Sequence, residues 1–131
     1  MSWDLFVQDW GNARTLEEIP DDFQPQSIGT RSNIIDQIMK IEPTVKFYDK
    51  SIGNLENDQF SIEFNMGNEE QLNSFSMHVR GSELSIPCIG NILKQLNLRA
   101  TDGTSPDFFD TASAIDSLQN WIQFRNNILA K

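Results

Sequence analysis

Glu63, His78 and Arg80 are the residues whose types and spacing could do chemistry. His78 is the sole histidine of the chain. It precedes Arg80 by two positions in SFSMHVRG (74–81), and Glu63 lies in FSIEFN (60–65). Both runs alternate apolar with polar residues, the period of a strand with one buried and one wet face. Phe60, Ile62 and Phe64 take the apolar side of the first run; Phe75, Met77 and Val79 take that of the second. Glu63, His78 and Arg80 therefore share the wet face of the predicted hairpin, where opposed residues lie about 4.5–5.5 Å apart at Cβ. A histidine that close to a carboxylate can serve as a general base. The simpler expectation is a cross-strand ion pair between Glu63 and Arg80, with His78 an ordinary surface residue. A catalytic histidine needs an orienting partner and a pocket, and the sequence displays neither.

Other chemistries find less support. One His and one Cys, with no HExxH or CxxC spacing, make a zinc site unexpected. Calcium would find oxygens at Asp21 and Asp22, or at Asp102, Asp107 and Asp110, yet neither segment follows the twelve-position loop with its closing Glu. Solvated loop acids are the expectation for both. GxSxG, P-loop and GxGxxG patterns are absent, so no cofactor is expected. Cys88 stands where the dipole of a helix N-terminus could lower its pKa. Its neighbours Pro87 and Ile89 point instead to a small buried hydrophobe.

The elements that must position these residues read as follows. WDLFV (3–7) suits a first strand with Trp3, Leu5 and Val7 on one face, and Phe6 on the other hints that the second face is partly covered. Residues 11–29 carry Gly11, Pro20, Pro25 and Gly29 and read as a long connection with one helical turn near Leu16 and Glu17. Within it, Ile19 and Phe23 flank Asp21 and Asp22 as apolar anchors. Thr30 or Ser32 can cap a helix reaching Ile41, with Ile34, Ile35, Ile38, Met39 and Ile41 on its stripe and Pro43 beyond its end. Short extended pieces follow at 45–48 and 51–55, and residues 66–73, with Glu69 and Glu70, read as a solvated turn. A second helix from about 82–86 to Leu96 presents Ile86, Ile89, Ile92, Leu93 and Leu96, and residues 98–101 can return as an edge strand. A final helix, capped by Asp110 or Thr111 and reaching nearly to Lys131, carries Ile115, Leu118, Trp121, Ile122, Ile128 and Leu129.

This order predicts one α+β domain over 1–131: a two-layer sandwich with a mainly antiparallel sheet, two helices on one face and a C-terminal helix, in the manner of a ferredoxin-like variant. Helix-joined strands are expected to lie parallel. The final helix (111–131) reads as an appendage that covers the second face of the sheet or joins two copies of the chain.

Composition bounds the partners. Nineteen acidic against ten basic residues give a formal charge of −9. That field repels phosphate backbones and anionic membranes, so neither nucleic acid nor membrane is expected. No run approaches the roughly 20 apolar residues of a spanning helix. A lone cysteine and a start without a basic leader fit a reducing cytoplasm.

The segments SWDLFVQD (2–9), IPDDF (19–23), FSIEFNMG (60–67), SFSMHVRG (74–81) and LNLRATD (96–102) resemble those of a family of small acidic bacterial proteins of unknown function. The resemblance covers 2–110 and implies a bacterial cytosolic origin. By analogy with other small acidic bacterial proteins, it suggests an immunity- or antitoxin-like role. The functional expectation is a non-enzymatic binding protein for a basic, toxin-like partner, using Asp21, Asp22, Glu63, Glu69, Glu70, His78 and Arg80. The alternatives are a small enzyme or ligand-binding domain using Glu63, His78 and Arg80, and a homo-oligomer joined through the final helix.

Overall fold

Alternation of Trp3, Leu5 and Val7 with Asp4, Phe6 and Gln8 produces strand β1 (Trp3–Gln8), whose first set is buried. The computed structural model describes residues 2–11, 13–103, 107–111 and 114–129. After β1 the chain makes a short 3-10 turn at Leu16–Glu18, then β2 (Gly29–Thr30) and α1 (Arg31–Ile41). Thr30 is the cap: its hydroxyl accepts the Asn33 N–H at 3.2 Å, satisfying one of the free donors of the first turn. Ile34, Ile35 and Ile38 are the buried stripe, whereas Ile41 is half-buried and Met39, expected on it, is exposed.

Four strands and a fragment follow: β3 (Lys46–Phe47), β4 (Ile52–Glu56), β5 (Phe60–Asn65), the two-residue β6 (Gln71–Leu72) and β7 (Ser74–Gly81). Helix α2 (Ser85–Leu96) has Pro87 in its first turn, where the missing N–H costs nothing. Asn97, at φ 55°, ends it in the left-handed region with its N–H turned back to the Leu93 and Lys94 carbonyls. Strand β8 (Arg99–Thr101) and helix α3 (Ala114–Leu129) complete the described chain. The expected start of this helix at 111–113 and its end at Lys131 fall partly outside the described residues, as does the side chain of Ile115.

The main sheet has six strands in the order β3-β4-β5-β7-β1-β8, and β2 pairs with β6 in a separate small ladder. The protein is thus an α+β fold built on an antiparallel sheet. Every described strand pair is antiparallel, which corrects the expectation of parallel neighbours. The α2 crossover leaves β7 and returns as β8 on the far side of β1, so β1 fills the gap and pairs with both. This order does not by itself establish a ferredoxin-like arrangement. The predicted turn at 66–73 is also more structured than expected: Leu72 is buried and its strand pairs with Gly29–Thr30.

One core lies between the sheet and its helices. Leu5, Val7, Ile62, Phe64 and Met77 from the sheet meet Ile34 and Ile38 of α1 and Ile86, Ile89 and Ile92 of α2, all buried. Apolar area removed from water at about 25 cal/mol per Å² makes this layer the main stabilising element. Helix α3 joins the same core through Ala114 and Leu118, with Trp121 and Ile122 half-buried, so it does not cover the second face. Its start is held close to α2 because Gly90 leaves the space that the Thr111 methyl occupies. Further along, Phe124, Ile128 and Leu129 are exposed. The other face of the sheet is the more open one: Phe6 is 49% exposed there, but Thr101 opposite it is buried, so this face is not wholly exposed, as the sequence hinted.

Candidate functional site

The open face is ordered by strand register. Asn54 of β4, Glu63 of β5, His78 of β7 and Asp4 of β1 form one row across four strands. Within this row His78 turns toward β1: its Nδ1 lies 2.8 Å from Asp4 Oδ1. Its other nitrogen, Nε2, lies 3.2 Å from the Ser76 hydroxyl, two residues back along β7. The Ser2 hydroxyl donates to the same Asp4 oxygen. A continuous hydrogen-bonded line therefore runs Ser2–Asp4–His78–Ser76.

Electrostatics fixes the direction of that line. Partial burial pushes the Asp4 pKa up, but hydrogen bonds from Ser2 and His78 and the charges of His78 and Arg80 outweigh it and hold the carboxyl below its ordinary 3.8. Asp4 is thus ionised at neutral pH and accepts only. Because the ionised Asp4 can only accept, His78 Nδ1 donates to it, and in the tautomer with its single proton there Nε2 accepts from the Ser76 O–H. This is a hydroxyl, an imidazole and an orienting carboxylate in sequence, the order that activates a nucleophile.

The predicted trio is rearranged. Glu63 does stand directly opposite His78, but neither the His78–Glu63 pair nor the Glu63–Arg80 ion pair forms among the described residues. Arg80 stands opposite Ser61 and is exposed, contributing charge to Asp4 instead. The cause is that β7 sits inside the sheet with β1 on its second edge, so His78 has a carboxylate on either side and bonds the one from β1. The Ser76–His78 spacing was readable in the sequence as two residues of one parity. Asp4, 74 positions away, was not.

Beside Ser76 the open face sinks into a cleft of about 360 Å³, bordered by Phe6, Trp10, Asn65, Gly67 and Ser76. Trp10 is wedged between Phe23, stacked at 6.2 Å, and Phe108, tilted at 5.6 Å. Its indole Nε1 is buried without a hydrogen-bond partner. Asn65, opposite Ser76 in register, has its Oδ1 occupied by the Gly67 N–H at 3.1 Å.

The acidic candidates lie at one end of this sheet. The register pairs Gln8 with Ser74 and Asn65 with Ser76. The connection after β1, with Asp21 and Asp22, and the connection after β5, with Glu69 and Glu70, therefore leave the same end. The β2–β6 ladder ties the two connections together. Asp21, Asp22 and Glu69 are exposed and, among the described residues, make no ion pair. Glu70 has a structural task. It accepts the Ser32 N–H at 3.3 Å and sits 3.6 Å from Arg31, whose guanidinium also donates to the Gly67 carbonyl at 2.7 Å. Hydrogen bonds from Ser32 outweigh the opposing desolvation and, with lesser help from the charges of Lys50 and Arg31, hold the Glu70 carboxyl below its ordinary value.

Cys88 is half-buried, where the sequence suggests a buried hydrophobe. Burial, then the charge of Glu42 and a hydrogen bond to it, push the thiol up to about 12, so it is no nucleophile at neutral pH. Among the described residues no three His, Cys, Asp or Glu side chains gather as a metal set, and no helix is long and apolar enough to cross a membrane. Compared with protein-family models, curated proteins and solved structures, the chain matches none of them.

Proposed function

We propose that this chain is a binding protein that engages a basic protein surface through the acidic end of its sheet. The observation that carries the reading is that the two connections bearing Asp21, Asp22 and Glu69 leave the same end of the sheet and are tied by the β2–β6 ladder, the three side chains being exposed and without ion pairs among the described residues. A formal charge of −9 adds a long-range field that steers a positively charged partner toward the chain. The partner expected by analogy is a toxin-like domain that the chain would neutralise. The polar face runs back from this end through Glu63 and His78 and would extend the contact, with Arg80 toward the far end of β7.

Capture from a bacterial lysate tests the reading, with the tagged chain used at about 0.1 M and about 1 M salt, where the Debye length falls from about 10 Å to about 3 Å. Proteins of high pI retained at low salt and released at high salt support it. Retention of none, or retention indifferent to salt, contradicts it.

A second reading draws on Phe124, Ile128 and Leu129, apolar and exposed on the distal half of α3. They suit self-association, and sedimentation of the chain before and after Phe124→Ser with Leu129→Ser decides it. A dimer converted to a monomer supports self-association; a monomer in both cases excludes it.

A further inference from the structure

We propose that Ser76, His78 and Asp4 form a nucleophilic relay that cleaves small activated carboxylic esters bound in the cleft beside Ser76. This goes beyond docking through the acidic end and departs from the expectation of a chain without chemistry. It rests on the hydrogen-bonded line Asp4–His78–Ser76 and not on the acidic loops, sharing only His78 and the face it stands on with that reading.

The geometry supplies each role in turn. The Ser76 hydroxyl lies 3.2 Å from His78 Nε2, within reach of the base that must take its proton. His78 Nδ1 lies 2.8 Å from Asp4, which holds the ring so that Nε2 faces the serine. Asp4 is fixed in turn by Ser2. Two partners lock the imidazole, and adjacent strands of one sheet carry all three groups, so the line is held by the ladder and not by a loop.

The cleft gives a substrate somewhere to sit. Its volume of about 360 Å³ falls at the small end of the range for ligand sites, about 300–1,000 Å³. Phe6 and Trp10 form an apolar wall for an acyl or aryl group, and Ser76 borders the same space. Asn65 faces Ser76 across the β5–β7 ladder. Because its Oδ1 is engaged by the Gly67 N–H, its amide NH₂ is the end left to donate to an oxyanion.

The reaction balances without a co-reactant other than water. Ser76 Oγ attacks the carbonyl carbon while its proton passes to His78 Nε2, and the carbonyl electron pair moves onto the oxygen facing Asn65. Collapse breaks the bond to the leaving alkoxide or phenoxide, which takes the proton from Nε2 and leaves an ester on Ser76. Water then repeats the sequence, giving its proton to Nε2 and returning the serine with release of the carboxylic acid.

A fluorophosphonate reporter, which phosphonylates activated serines, tests the proposal on the full chain, alongside p-nitrophenyl acetate as the ester probe. Intact mass and peptide mapping are expected to place a single label on Ser76. Ser76→Ala removes the label and lowers ester turnover at least tenfold, and His78→Gln slows labelling at least tenfold. Asn65→Ala lowers turnover by about 10²-fold, the usual effect of losing one oxyanion donor. Wild-type chain that takes no label overturns the proposal without recourse to any variant. So does a label that persists in Ser76→Ala, or a labelling rate that His78→Gln leaves unchanged while its circular dichroism matches wild type.

Discussion

Replacing Asp4 by Asn isolates what the carboxylate does to His78, because it removes the charge and keeps the shape. A hydrogen bond to a charged group contributes about 1.5–3 kcal/mol in protected surroundings. Here the Asp4 and His78 side chains are 42% and 22% exposed, so solvent screening reduces the pair to about 0.5–1 kcal/mol. The sign follows from the depressed pKa of Asp4. Its contribution is complete above the ordinary 3.8 of the unfolded chain and disappears as pH falls below that value through the folded one. Urea denaturation at neutral pH is therefore expected to show Asp4→Asn less stable by about 0.5–1 kcal/mol. The gap closes when the pH is taken well below 3.8. Because the chain has a single histidine, its imidazole nitrogens are unambiguous in ¹⁵N NMR. The wild-type spectrum should show the proton on Nδ1, and the variant a shift toward Nε2. Equal stability at every pH, with the same tautomer in both proteins, would refute the reasoning.

Two further outcomes follow from packing and burial. Raising the Cys88 pKa from 9.0 to about 12 lowers its thiolate population near pH 8 by about a thousandfold. Native chain should thus react with a disulfide reagent orders of magnitude more slowly than chain in denaturant, and a rate within tenfold contradicts the burial. Gly81→Ala should cost about 1–3 kcal/mol in a denaturant titration. Gly81 has φ 103°, and an added Cβ would stand 2.5 Å from the Gln59 carbonyl oxygen and 2.7 Å from Phe60 Cα, both backbone. A variant as stable as wild type would place Gly81 in a looser turn.

Local pattern revealed most of the elements and little of their arrangement. Alternation in Phe60–Phe64 and Phe75–Val79 marked β5 and β7, and the stripe Ile34, Ile35, Ile38 marked α1, because burial on one face imposes a period on sequence. The two-residue strands β2 and β6 carry no period, so Leu72 read as part of a turn. Strand order was hidden because register alone does not say which edge of β7 receives β1. That one pairing decides the site. It brings Asp4 to His78, relieves Glu63 of the role expected for it, and gives Ser76 a base with an oriented ring. The acidic residues were legible as loop acids, but their gathering at one end depended on the β2–β6 ladder.

The central claim, that the acidic end binds a basic protein surface, is tested most directly by the affinity of a captured partner for wild type and for Asp21→Asn/Asp22→Asn/Glu69→Gln. Three exposed charges at about 0.5–1 kcal/mol each predict affinity weaker by roughly tenfold to a hundredfold at about 0.1 M salt, with a shallower salt dependence. Equal affinity in the two proteins would contradict it.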